Sequence, residues 1–168
     1  QEVPEFCQRY FHCSTKPEEN FIAGLSMGGY GALRLALRYP GRYAAAASIS
    51  GCVEMEKGYE TFASRGPFML RELDDVYGSE HDLLRGPGSL FGLADRFLKE
   101  PDRAPRMYMA CGTEDHLFEA NEHFFARFGK ELPIEYHTEP GDHNWAFWDR
   151  YLERVLAWLP LEKAEGVW

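Results

Sequence analysis

The sequence predicts an α/β domain, a mostly parallel sheet flanked by helices, and three observations carry that prediction. Short apolar runs alternate with amphipathic stretches along most of the chain. Glycine, proline or a polar cluster bounds each run. Within FIAGLSMGGYGALRLALRYP, residues Phe21 to Pro40, a strand-like pattern becomes a helical one across a serine fenced by glycines.

Taken in order, the spaced apolar positions from about Val3 to Phe11 predict a helix, and STKPEEN breaks it. Phe21 to Leu25 is the first strand. The helix after it runs from about Met27 to Tyr39 and stops at Pro40. YAAAASIS, Tyr43 to Ser50, is ambiguous because alanine favours helix, but its length and the Gly51 that ends it argue for a buried strand. RMYMACG (Arg106 to Gly112) and IEYHTEP (Ile134 to Pro140) are two further strands. Between them HLFEANEHFFARFG is helical, with Leu117, Phe118, Phe124 and Phe128 available to face a core and Gly129 as the stop. NWAFWDRYLERVLAWLP makes a final amphipathic helix. The order is β-α-β, an insertion, then β-α-β-α, within a single domain spanning residues 1–168. The insertion, about 53–105, has no clear period apart from helical pieces around RELDDVYG and LADRFLKE. At that length it is expected to be a lid or excursion over a site. Its aromatics Tyr59, Phe62, Phe68 and Tyr77 fit either an apolar lid or a satellite core.

The totals narrow the class. A chain of 168 residues, 45% hydrophobic and 15% aromatic, builds one packed core. With 18 basic against 27 acidic residues the net charge is -9, which argues against a nucleic-acid partner. No apolar run is long enough to span a bilayer, and QEVPEFCQRY lacks the parts of a signal peptide, so a soluble, cytoplasmic protein is expected. The four cysteines show no metal-ligand spacing. Cys52 and Cys111 end apolar segments, as reduced, buried thiols do, while Cys7 and Cys13 leave a disulfide near one surface open.

A serine hydroxyl is a weak nucleophile. Using one requires a position where the oxygen stands free, a base that reaches it, and backbone N–H groups that meet the developing oxyanion. G-x-S-x-G between a strand and a helix supplies the first and third: Gly24 and Gly28 let the chain turn at a strained Ser26, and the Met27 N–H opens the helix. The competing reading of Ser26 is a plain helix cap. The base and its acid are then sought downstream, at the carboxyl ends of later strands. ACGTEDHLFE puts Asp115 in the loop after the third strand, with Glu114 as its alternative and helix capping as the structural reading of either. EPGDHNWAFW puts His143 after the fourth. His116 adjoins Asp115 and is expected to point elsewhere. His123 and His137 lie inside elements, His12 and His81 away from the strand ends, and Asp142 is expected to serve its loop. Trp145 either lines the substrate pocket or packs the last helix, and packing is the stronger reading for Trp148.

GLSMGGYGALRLALRYPGRYAAAASISG, GTEDHL and GDHNWAFWDRYL together resemble the "putative esterase" (esterase D) family of α/β-hydrolases, above all its bacterial tributyrin and acetyl esterases. The family also includes S-formylglutathione hydrolases, feruloyl and acetyl-xylan esterases and mycolyltransferases. The resemblance is strongest over Asn20 to Gly51 and Ala110 to Leu152. It implies Ser26 as nucleophile, Asp115 as orienting acid, His143 as general base and the Met27 amide as an oxyanion donor. It also implies a small-molecule ester as substrate, short acyl chains, and no metal or organic cofactor. Acyl transfer to a hydroxyl, and a binding protein or incomplete fragment that kept the fold, are the alternatives. The family places several strands and an oxyanion-hole loop before the nucleophile strand, whereas only a helix precedes Phe21 here. The chain is therefore expected to be the C-terminal part of a larger esterase, or to be completed by a companion chain. An unpaired edge on the first strand would also favour self-association into a homo-oligomer.

Overall fold

The computed structural model describes residues 2–55, 59, 64, 66–77, 89–99 and 104–161. Six α-helices and four strands are defined there: α1 Glu2–Tyr10, β1 Phe21–Leu25, α2 Met27–Arg38, β2 Ala45–Ile49, α3 Pro67–Tyr77, α4 Leu90–Phe97, β3 Arg106–Gly112, α5 Phe118–Phe128, β4 Ile134–Glu139 and α6 Trp145–Trp158. The strands form one sheet in the order β1-β2-β3-β4, every pair parallel. Sequential parallel neighbours put the carboxyl ends of all four strands on one rim.

The alanine run is a strand because it is the sheet interior. Ala45 to Ile49 are all buried, paired with β1 on one side and β3 on the other. Small side chains there let helices approach both faces. Alternation along the strands divides the core in two. On one face Ala46, Met107 and Met109 meet Leu33 and Leu37 of α2, Leu90 and Phe97 of α4, and Phe124 and Phe128 of α5. On the other, Ala47, Ile49, Tyr108 and Ala110 meet Phe147, Tyr151 and Val155 of α6. Phe124 and Phe128 are fully buried, each stabilising the fold by about 1.5–3 kcal/mol.

The described part of the insertion contributes to this core. Ser89 caps α4 by accepting the Gly92 N–H at 2.9 Å, and α4 packs Leu90, Leu93, Ala94 and Phe97 inward. Tyr59 is buried in the same cluster, whereas Phe68 is exposed. Phe62, His81 and the Tyr77 side chain lie outside the described residues.

β1 is the end strand of the sheet, with Phe21, Ile22 and Leu25 half-buried and Ala23 exposed. Beside it α1 buries none of its residues and leaves Val3, Phe6 and Tyr10 exposed. Two grooves of about 590 and 480 Å³ run along α1, and neither is lined by Ser26, Asp115 or His143. Among the described residues no helix is long and apolar enough to cross a membrane.

Candidate active site

Ser26 sits between the last residue of β1 and the first of α2, with φ 54° and ψ -120°, a strained conformation for a residue with a Cβ. The backbone around it is over-determined. Its N–H donates to the Ile49 carbonyl at 2.9 Å, and its own carbonyl accepts the N–H groups of Tyr30 and Cys52, each at 3.2 Å. The side chain makes no capping bond to α2, which removes the support for the helix-cap reading. Of the two glycines expected to permit the turn, Gly24 is required by the space available and Gly28 is not. A Cβ on Gly24 would overlap the Gly28 backbone, and one on Gly29 would stand 2.6 Å from Ser48 Oγ and 3.0 Å from Gly51 Cα. A Cβ on Gly28 would meet nothing within 4 Å. Tight packing of the turn therefore rests on Gly24 and Gly29.

The loops after β3 and β4 are fastened to each other. Thr113 N–H donates to the Glu139 carbonyl and Glu114 N–H to the Gly141 carbonyl, both at 3.0 Å. Asp115 follows with its side chain fully buried, its Oδ1 accepting the Leu117 N–H at 2.9 Å. Glu114 is exposed and carries no such role. On the β4 side, Asp142 Oδ1 accepts the His143 N–H at 2.7 Å, and Asn144 caps α6 by accepting the Phe147 N–H at 3.2 Å.

These supports bring three side chains into line. His143 Nδ1 is 2.9 and 3.1 Å from the two oxygens of Asp115, and His143 Nε2 is 3.0 Å from Ser26 Oγ. A carboxylate is an acceptor only, so Nδ1 carries the proton and Nε2 is left to accept from the serine hydroxyl. Both oxygens of the buried carboxyl group thus accept hydrogen bonds, as burial of a polar group requires.

Beside Trp145, which the sequence offered for the pocket, Trp148, His116 and Cys52 adjoin the three side chains. Trp148 sets its ring edge-on to His143, centroids 4.9 Å apart at 89°, and Trp145, exposed, stands 5.3 Å from Trp148 in the same manner. His116 does not point away: its ring lies 4.6 Å from that of His143 and its Nδ1 3.4 Å from Asp115 Oδ1. Cys52 brings its sulfur to 3.8 Å from Ser26 Oγ. Burial pushes the Cys52 thiol up, the Ser26 contact opposes this and the Asp115 charge adds to it, so the sulfur stays protonated. Cys52 follows Gly51 at the carboxyl end of β2, the strand beside the serine's, which was the available signal.

A serine in a strained turn after one parallel strand, with a buried acid and a histidine after two later strands on the same rim, is the arrangement of the α/β-hydrolase fold. Residues 1–159 match the family described as "Putative esterase", and the chain belongs to it. It is 30% identical over 165 residues to an acetyl esterase of Caldicellulosiruptor saccharolyticus, covering 94% of this chain and 60% of that protein. Among solved structures it is similar to the S-formylglutathione hydrolase FrmB of Staphylococcus aureus, with TM-score 0.82 and 28% identity over 94% of this chain and 61% of that one. It is also similar to the fluorophosphonate-binding serine hydrolase FphF of the same organism, with TM-score 0.84 and 27% identity over 96% and 62%. The chain thus spans about three fifths of the length of these relatives.

Proposed function

We propose that the chain carries the catalytic residues of a serine carboxylesterase acting on small esters with short acyl chains. His143 Nε2 takes the Ser26 proton as Oγ attacks the ester carbonyl, while Asp115 holds the imidazole tautomer and stabilises the imidazolium. The Met27 N–H, at the start of α2, meets the oxyanion. The alcohol leaves with the proton from His143, and water then releases the acid from the acyl-enzyme by the same route. The observation that carries this reading is the unbroken chain from Asp115 through His143 to Ser26 Oγ, with a final contact of 3.0 Å.

In this reading Trp145, exposed and 5.3 Å from Trp148, flanks an incoming ester, and its exposure supports that role. Water is preferred to a hydroxyl as acyl acceptor because the acetyl esterase relative, at 30% identity, exceeds the 26% of the diacylglycerol acyltransferase/mycolyltransferase Ag85B of Mycolicibacterium smegmatis. The second oxyanion donor and the partner of β1 come from an N-terminal remainder of the same protein or a companion chain. The apolar end strand and the uncovered apolar side of α1 support this.

The test is a pre-steady-state burst with p-nitrophenyl acetate on the enzyme carrying its N-terminal strands. A burst lost in Ser26→Ala supports the reading, and an unchanged burst overturns it.

A further inference from the structure

We propose that Asp115, His116 and His143 form a binding site for a transition-metal dication, zinc above all, and that an ion held there takes His143 out of the tautomer a general base requires. The second half rests on the hydrolase reading; the binding itself does not.

One carboxylate oxygen and one ring nitrogen from each histidine lie within 4.8 Å of one another. Asp115 Oδ1 stands 3.1 Å from His143 Nδ1 and 3.4 Å from His116 Nδ1. Zinc binds imidazole nitrogen and carboxylate oxygen at about 2.0–2.2 Å in a tetrahedron, which sets ligand atoms roughly 3.3 Å apart. The two gaps bracket that spacing. Asp115 is the fixed member, fully buried and held by the Leu117 N–H. His116 is the adjustable one, its side chain 69% exposed. Two imidazoles and a carboxylate suit zinc, cobalt, nickel or copper better than magnesium or calcium, which take oxygen. The other close histidine–carboxylate pairs, His123 with Glu54 and His137 with Glu135, offer one imidazole each.

The chemical consequence follows from one proton. In the free site it sits on His143 Nδ1 and Nε2 accepts from Ser26. A metal needs the Nδ1 lone pair, so that proton leaves to solvent and another is taken up at Nε2, and the ring stays neutral. Nε2–H then donates to Ser26 Oγ and has no lone pair to receive the serine proton. Metal occupancy and general-base function exclude each other.

The experiment is zinc chloride titration of the full chain by calorimetry, with long-range ¹H–¹⁵N NMR of the labelled histidines. One zinc per chain is expected, with affinity at least tenfold lower in both His116→Ala and His116→Gln and unchanged in His123→Ala and His137→Ala. At saturation His143 is expected to carry its proton on Nε2. Absence of saturable zinc binding, affinity that neither His116 variant moves, or a zinc-bound His143 that keeps its Nδ1 proton would each overturn the proposal. A chain that binds zinc this way yet is never labelled by a fluorophosphonate would retire the hydrolase reading and leave the metal site standing.

Discussion

The backbones of Gly112 and Gly141 touch so closely that a Cβ added at 112 would overlap the Gly141 carbonyl. This contact, with the Glu114-to-Gly141 hydrogen bond at 3.0 Å, sets the loop of Asp115 against the loop of His143. Gly112→Ala must push the loops apart. A shift of about 1 Å in a reacting geometry can cost on the order of 100-fold, so kcat is expected to fall by that order while KM changes little. Steady-state ester hydrolysis by the proposed longer protein measures it, with a melting curve to register the overpacking cost of about 1–3 kcal/mol. An unaltered kcat would mean the loops are set by something else.

Asp115→Asn tests the orienting acid separately from the fold. The amide oxygen still accepts the Leu117 N–H, now 2.9 Å from Oδ1. The side chain no longer holds the Nδ1–H tautomer or balances an imidazolium. A loss of about four orders of magnitude in kcat is expected, with the melting temperature much less affected. A variant that retains a tenth of the activity would reassign the acid.

Cys52 gives a pH-dependent prediction of known sign. Because burial raises its pKa, the thiolate is scarce at neutral pH, and its share grows only above the ordinary thiol range near ~8.5. Iodoacetamide mapping by mass spectrometry is expected to find Cys13, which is exposed, modified well before Cys52 at neutral pH. The Cys52 rate should keep climbing at pH values where an ordinary thiol has levelled off. Once Cys52 is alkylated, Ser26 should no longer react with a fluorophosphonate, since the added group is attached to a sulfur only 3.8 Å from Oγ. Rapid alkylation of Cys52 at neutral pH would contradict the environment described.

Glu139 ties the β4 terminus to α6. Its carboxyl is held below its ordinary value first by the hydrogen bond from Arg154, at 2.9 Å, with Arg150 assisting at 3.2 Å. A lowered carboxylate pKa means the folded state binds fewer protons. The stabilisation is therefore complete above the unfolded carboxylate range and disappears as pH falls through the lowered value. Glu139→Gln should lower the melting temperature slightly at pH 7, as exposed pairs contribute little, and the difference should vanish in strong acid. A gap that widens on acidification would reverse the assigned sign.

Much of this was legible in the chain because the local signals agreed. The glycine-fenced serine, the strands before Asp115 and His143, and the caps around them all imply the same alternating fold. Even the alanine run yields to its setting, since Gly51 and the flanking pattern outweigh helix propensity. What stayed hidden depends on side-chain direction. His116 precedes Leu117, whose N–H turns back to Asp115, and that turn brings the ring onto His143 instead of away from it. Gly29, not Gly28, meets Ser48 because the helix turns its third residue toward β2. Neither orientation is encoded in spacing alone.

The end strand makes the last prediction. Ala23 is exposed on an otherwise apolar strand that pairs only with β2 among the described residues. A lysine there blunts an edge and stays solvated, so Ala23→Lys in the 168-residue chain should reduce self-association with little loss of stability. If N-terminal strands complete the sheet and cover this strand, the same lysine becomes a buried, unpaired charge. Ala23→Lys in the longer protein should then destabilise it by several kcal/mol. Light scattering and chemical denaturation of the two variant proteins read the contrast. Equal tolerance of lysine in both would show that nothing packs over β1, and the completing segment would have to be sought elsewhere.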